Sequence, residues 1–458
     1  MNIDRLETIM PGRLLCLISA LLAIACSTRA DAQALNEIQM LTPESRSGGD
    51  RFGHTVASND RFIAVSAPGQ PLGNAVYIFD AATGDQTYKL EAADSVPGEF
   101  FGMSLSMNQT QLAVINSVLQ GPDRVLSSVD IVDLQTGERA SRFQLDNIMV
   151  SSWVGFIALS NSVLAIGAPW DSDAGEYSGA VYLYDTMTGE LVRKIYPTDP
   201  REFGLERFGS RLDVHEDTLA VFAAGGSGAE LNPVVNLIDI NTGDALYVIA
   251  SDDDPFSTFA PETCAFNNEY VAMGSHEDRT IRLYDRTTGS LVAQLQTEDG
   301  YVDSGFPGTD SFGYEIKMDD DYMLVSAQTD SLNGHWAGAA YLFDLSTGSQ
   351  LAKLLPTEST YGGEFGFSIS LSNGRIGIGE PYNRDQGRDT GAAYLFDASS
   401  AHRCSPDFDD NGQLNITDIN LFIGHYSAGH PSADFDVDGL FNFYDVSEFI
   451  HEFTTGCP

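Results

Sequence analysis

One phrase returns seven times along this 458-residue chain and narrows what it can fold into. It reads GNAVYIFDAATG at 73–84, GAVYLYDTMTG at 179–189 and GAAYLFDLSTG at 338–348. Weaker copies are SVDIVDLQTG, VVNLIDINTG, TIRLYDRTTG and a last, truncated GAAYLFDASS. Their aspartates, Asp80, Asp133, Asp185, Asp239, Asp285, Asp344 and Asp397, are spaced by 53, 52, 54, 46, 59 and 53 residues. A period near 50 residues marks one supersecondary unit repeated, each burying its apolar face against its neighbours.

Within each unit an upstream Phe-Gly opens an alternating strand, at Phe52-Gly53, Phe101-Gly102, Phe208-Gly209, Phe312-Gly313 and Phe365-Gly366. A small-residue strand follows, as in AVSAP at 64–68, AIGAP at 165–169 and GIGEP at 377–381. Between the two lie polar pairs such as Asn59-Asp60, Glu216-Asp217, Asn267-Asn268 and Asn373-Gly374, which suit tight hairpin turns, and residues 115–125 read as a loop. The aspartate-to-glycine turn then leads into a fourth strand, for example ELVRKIY at 190–196. Four antiparallel strands per unit make a propeller blade, so the expected fold is an all-β seven-bladed propeller over residues 33–400. The seventh unit stops at Asp397 without a fourth strand, while NEIQML at 36–41 has the fourth-strand pattern and no unit of its own. It should pair with the strand at Ala392–Phe396 and close the ring, since an open ring leaves an unpaired sheet edge.

The Phe-Gly and Gly-Ala-Pro phrases resemble the FG-GAP repeat family, whose members include the seven-bladed propeller heads of integrin α chains. The resemblance covers about 360 residues and implies a binding or cell-adhesion role. It departs from the pattern at Val154-Gly155 and Ala260-Pro261, which stand where Phe-Gly is expected. Blades of this family often hold calcium in a D-x-D-x-D-G-x-x-D loop, and none of the seven loops here has it whole. The nearest is DSDAGEYSG at 171–179, with Asp171 and Asp173 present and Ala174 in the third acidic position. The acidic triplets at 252–254 and 319–321 read as solvated turns, and Cys264, in register with Val56, Leu105, Leu212, Ile316 and Ile369, as a buried apolar side chain.

The ends of the chain have other work. Arg13, the apolar run Leu14–Ala25 and the small-x-small Ala30-Asp31-Ala32 have the layout of a secretory signal peptide over residues 1–32. A lipoprotein signal at Cys26 is the alternative. No later apolar run is long enough to span a bilayer, so no membrane span is expected. The signal carries three arginines against three acids, so the mature chain keeps the net charge of −41, which makes nucleic acid and anionic membranes poor partners. Export makes a Cys404–Cys457 disulfide the expected use of two of the remaining three cysteines.

Residues 407–418, DFDDNGQLNITD, place oxygen ligands at positions 1, 3, 5, 7, 9 and 12 of a calcium loop: Asp407, Asp409, Asn411, the Gln413 carbonyl, Asn415 and Asp418, with Gly412 at the turn. DFDVDGLFNFYD repeats them from 434 as Asp434, Asp436, Asp438, the Leu440 carbonyl, Asn442 and Asp445, with Gly439. So many oxygens converging call for two hard cations, expected to be calcium. Helices should follow each loop, from 417 and from 444. Two loop-helix units with Asn at position 9 and Asp at position 12 resemble a dockerin module over 401–458, of the bacterial kind closed by a cysteine pair. That resemblance implies a cohesin-like protein as the tail's partner.

No nucleophile elbow, Walker loop, dinucleotide fingerprint or His-Glu-x-x-His stands in the sequence, and the glycine-rich GGSG at 225–228 lacks a following lysine or helix. The leading expectation is a secreted or surface-displayed binding protein, its propeller presenting a face to a protein or polysaccharide ligand. The alternative is a secreted hydrolase or lyase with its site at the central channel. Carboxylates or histidines clustered at the channel mouth would favour the enzyme, and broad aromatic or polar loops the binding protein.

Overall fold

The computed structural model describes residues 37–44, 47–69, 74–92, 99–119, 125–145, 157–197, 207–224, 233–251, 261–297, 310–357 and 361–398, apart from 277, 332 and 386. In the tail it describes 406, 408, 414–428, 433, 446–447, 449–450 and 453–454. The chain divides into two compact units, Ala34–Ala401 and a second that includes His402–Pro458.

Ala34–Ala401 is a ring of seven four-stranded antiparallel sheets. Blade 1 runs outward through Val56–Ser58, Phe62–Ala67, Ala75–Asp80 and Gln86–Glu91. The inner strands of blades 2 to 6 are Glu99–Met107, Ile157–Leu159, Phe208–His215, Thr263–Phe266 and Phe312–Met318. Blade 7 takes Ser368–Ser372, Arg375–Glu380 and Ala392–Asp397 from the end of the ring, and its outer strand, Gln39–Leu41, from the beginning. Gln39 pairs with Leu395, Met40 with Tyr394 and Leu41 with Ala393, and the Ile38 amide adds a bond to the Leu395 carbonyl at 2.9 Å. The expected closure is therefore present. Residues 115–119 differ from expectation: they belong to the strand Gln111–Leu119, since blade 2 is built from longer strands than its neighbours.

Seven hydrophobic cores lie between successive blades, and the last, between blades 7 and 1, joins Leu41, Ala393 and Leu395 to Phe52, Val56 and Phe79. The Phe-Gly phrase closes the seams of the five blades that carry it. Phe52, Phe101, Phe208, Phe312 and Phe365 are fully buried. At Gly53, Gly209 and Gly366 the glycine lets backbone approach backbone: a Cβ on Gly53 (φ 91°) would stand 2.0 Å from the Ala392 carbonyl oxygen, and one on Gly391 (φ 79°) 2.1 Å from that of Phe52. Phe-Gly in one blade and Gly-Ala in the blade before it are thus two halves of one contact.

The recurrent aspartate organises the turn into the outer strand. Asp285 accepts bonds from the Thr287 and Thr288 amides at 3.0 and 2.7 Å, and from both hydroxyls, so that Gly289 can turn back at φ 68°. Those hydroxyls and amides hold its carboxyl down to about 2. Turns at the same end of the strands, beside the aspartate turns, tie blades together. The Asn59 amide group donates to the Asn108 carbonyl, Asn108 to Ser160 and Asn267 to Asp319, each within 2.9 Å. Asp319, expected in a solvated turn, instead accepts from the Gly374 amide of the next blade at 3.0 Å, and burial pushes its carboxyl up.

In the tail, the helix Ile416–Ala428 starts one residue after Asn415, and Val446, Ser447, Phe449, Ile450, Phe453 and Thr454 are helical. Ile419, Phe422, Ala433, Val446 and Phe449 form its core, with the Phe422 and Phe449 rings stacked at 3.9 Å. Among the described residues no helix is long and apolar enough to cross a membrane.

Candidate functional site

The seven inner strands contact one another in succession around an axis, and the residue after each Phe-Gly sits where they begin. These are His54, Met103, Ser210, Tyr314 and Phe367, with Glu262 in the same register in blade 5. His54 packs on Phe367 at 5.3 Å, Phe367 on Tyr382 at 5.8 Å and His276 on Tyr314 at 6.3 Å. Burial, helped by Arg51, brings His54 down to about 4, so it is neutral at pH 7. Glu262 is taken up by His276 at 2.7 Å. Deeper in, charge is balanced: Lys317 meets Glu315 at 3.4 Å, and Asp213 accepts the Phe266 amide of the next blade at 3.2 Å. Among the described residues this end of the ring is aromatic, and Glu262 and His276 are partners of each other.

Around the mouth, loops of neighbouring blades meet at three equivalent junctions. Each pairs two residues in the left-handed region: Tyr177 with Arg207 between blades 3 and 4, Trp336 with Glu364 between blades 6 and 7, and Asp389 with Arg51 between blades 7 and 1, all at φ of 51–57°. The second amide donates to the first carbonyl at 3.3, 3.1 and 3.1 Å. The seam demands this backbone, so its strain is repaid locally. The side chains are free to vary, and they do. Arg207 lies over Trp170 at 4.7 Å and Arg51 over Tyr382 at 5.4 Å. At the third junction Trp336 is 43% and Tyr361 68% exposed, both resting on His335, with the Tyr361 ring parallel to it at 4.9 Å. These residues escaped sequence reasoning, although aligning the residue before each Phe-Gly (Arg51, Phe100, Arg207, Ser311, Glu364) would have exposed the sign change.

The loop nearest to a calcium pattern holds an ammonium. Lys194, from the outer strand of blade 3, donates to Asp171 at 2.8 Å and Asp173 at 2.6 Å, and Tyr182 donates to Asp171 at 2.6 Å. Burial alone would raise the Asp171 carboxyl, but Lys194, Tyr182 and the Asp173 amide outweigh it and hold it below the usual range. Blade 6 repeats the arrangement with Lys353, Tyr341 and Asp330. Cys264 is buried as expected, and burial pushes its thiol up to about 12.

Of the twelve tail ligands expected for calcium, Asn415 and Asp418 are described. Asn415 caps the helix by accepting the Thr417 amide at 2.8 Å, and the fully buried Asp418 accepts the Asn415 amide at 2.8 Å. Positions 9 and 12 of the first loop therefore lie within one helical turn, with a carboxylate facing inward, which fits a hard cation. Asp407, Asp409, Asn411, Gln413, Asp434, Asp436, Asp438, Leu440, Asn442 and Asp445 lie outside the described residues. So do Cys404, Cys457, residues 225–228 and 252–254, and Val154-Gly155.

Ring, seams and face together define a seven-bladed β-propeller. The family described as FG-GAP repeat matches residues 302–343 and 349–396, in blades 6 and 7. Two similar solved structures are "Structure of U3-55K", at 11% identity and TM-score 0.53 over 79% of this chain and 98% of that one, and "Crystal structure of RRP9 WD40 repeats", at 12% and 0.54 over 80% and 99%. At such identities the likeness is one of fold. No curated protein matches the chain.

Proposed function

We propose that this chain is a secreted or surface-displayed binding and adhesion protein, in which the propeller presents a ligand-binding face and a calcium-loaded, dockerin-like tail anchors it to a cohesin-like partner. An FG-GAP propeller fits a binding role in general. The observation that carries the reading here is the channel end of the ring: exposed aromatic loops surround it, His54 is buried and neutral, and Glu262 is paired with His276. In the tail, the reading takes support from Asn415 and Asp418, whose places at the start of a helix suit the last two ligands of a calcium loop. Calcium there would supply folding energy by gathering carboxylates that otherwise repel. Pull-down from the native extracellular fraction, with calcium and with chelator, tests both halves. Recovery of one partner lost on chelation and another lost on removal of the propeller is the expected result. A turnover assay that finds hydrolysis or bond cleavage by the propeller alone would overturn it.

A further inference from the structure

Several places on the propeller combine an aromatic ring with a cation from the same chain. Lys194 lies over Tyr182 at 4.7 Å and Lys353 over Tyr341 at 5.1 Å, each with an aspartate as counter-ion. Arg207 and Arg51 cover Trp170 and Tyr382 at two of the three equivalent seams. The seam between blades 6 and 7 breaks this pattern. The residue before Phe-Gly is Glu364, and the ring position of the other two seams is Thr329. Its aromatic groups are Trp336, in the place that Tyr177 holds between blades 3 and 4, and Tyr361, and both are exposed.

Glu364 is half-buried, and among the described residues its carboxyl makes no hydrogen bond or ion pair. Burial alone pushes that carboxyl up, and no charge of the described residues offsets it. Its backbone is fixed against Trp336 by the bond from its amide to the Trp336 carbonyl at 3.1 Å. The backbones of Trp336 and Glu364 are thus held together on one seam, and the arginine that stands in the place of Glu364 at the other two seams, Arg207 or Arg51, is missing. Such a pair is worth most to a cation that has been partly desolvated.

Resting on the reading of the propeller as a binding module, we infer that the seam between blades 6 and 7 is a recognition site for a basic side chain, lysine or arginine, of a protein partner, with Trp336 and Tyr361 receiving the cation and Glu364 as its counter-ion. The net charge of −41 would draw such a partner in from a distance. It would also hold any polycation loosely, so the test must separate the site from the general field.

The experiment uses the full chain and single-cation probes, N-acetyl-arginine amide and N-acetyl-lysine amide, with N-acetyl-citrulline amide as the neutral isostere. Binding is read from the indole resonance of Trp336. Saturable shifts are expected with the two cations and none with citrulline. Glu364→Gln should weaken binding about tenfold, against less than twofold for Glu138→Gln, which removes the same charge from an exposed turn of blade 2. Glu364→Arg, which recreates the self-covered seams, should abolish binding, and an unchanged melting temperature will show that the fold persists. Equal effects of Glu364→Gln and Glu138→Gln, or equal binding of citrulline, would overturn the site. A partner recovered on the propeller face whose binding is untouched by Glu364→Arg would overturn it too, while leaving the binding reading intact.

Discussion

Lys194→Met removes one ammonium that serves two carboxylates and leaves an apolar stem of similar length. Asp171, with 11% of its side chain exposed, would keep Tyr182 and the Asp173 amide but lose a cation at 2.8 Å. Coulomb attraction at that distance is about 6 kcal/mol at an effective dielectric near 20. Desolvation of both groups offsets much of it, and removing one partner of a buried pair costs about 3–5 kcal/mol. Water touches the edge of this pair, so the expected loss is about 3 kcal/mol of propeller stability. Asp173 is 70% exposed, and Asp173→Asn should cost about 0–1 kcal/mol. The assay is urea unfolding of the full chain at pH 7, followed by tryptophan fluorescence. Adding Asp171→Asn to Lys194→Met should recover most of the loss, because no charge is then buried alone. Asp171 is held below its usual 3.8 in the folded chain, so its contribution is complete above that value and disappears as pH falls through the folded value. The gap between wild type and Lys194→Met should therefore be full at pH 7 and close below about pH 4. A single variant within about 1 kcal/mol of wild type, or a double variant no better than the single, would refute the reasoning.

Three further outcomes are expected. Deleting residues 33–41 strips Leu41 from the core between blades 7 and 1 and Met40 from that between 6 and 7, and bares the edge at Leu395; the loss should exceed about 4 kcal/mol, and an unchanged urea midpoint would contradict ring closure by this strand. Asp133, Asp185, Asp239 and Asp285 are all held below the usual carboxyl range, chiefly by threonine hydroxyls and amides two and three residues on, so the propeller should lose stability as pH falls from about 4 towards 2; a midpoint flat across that range would count against these turns. Iodoacetamide at pH 8 should leave Cys264 unmodified in the folded chain, and mass spectrometry of the non-reduced protein should find Cys404 and Cys457 in one linked peptide; free thiols at the latter two would remove the disulfide.

The ring was legible from the sequence because repetition carries it. Each unit holds the same strand pattern, aspartate turn and Phe-Gly, and NEIQML was assignable because one blade was one strand short. Those are local signals, fixed by backbone conformation and by alternation of side chains. What each repeat does with its variable positions was settled across the seams, where residues far apart in the chain meet. Nothing adjacent to Asp171 in sequence announces that Lys194 will neutralise it, since the two are brought together by the pairing of Tyr182 with Lys194 across two strands. Asp319 reads as a surface acid in its own turn and becomes a tie only when blade 7 lays the Gly374 amide against it. Trp336 and Glu364 lie 28 residues apart in different blades, and their shared seam, with its missing cation, exists only once the ring is closed. A repeat sequence specifies its unit and its count, because these depend on local geometry; the electrostatics of a face depend on which unit stands beside which, and only the closed ring decides that.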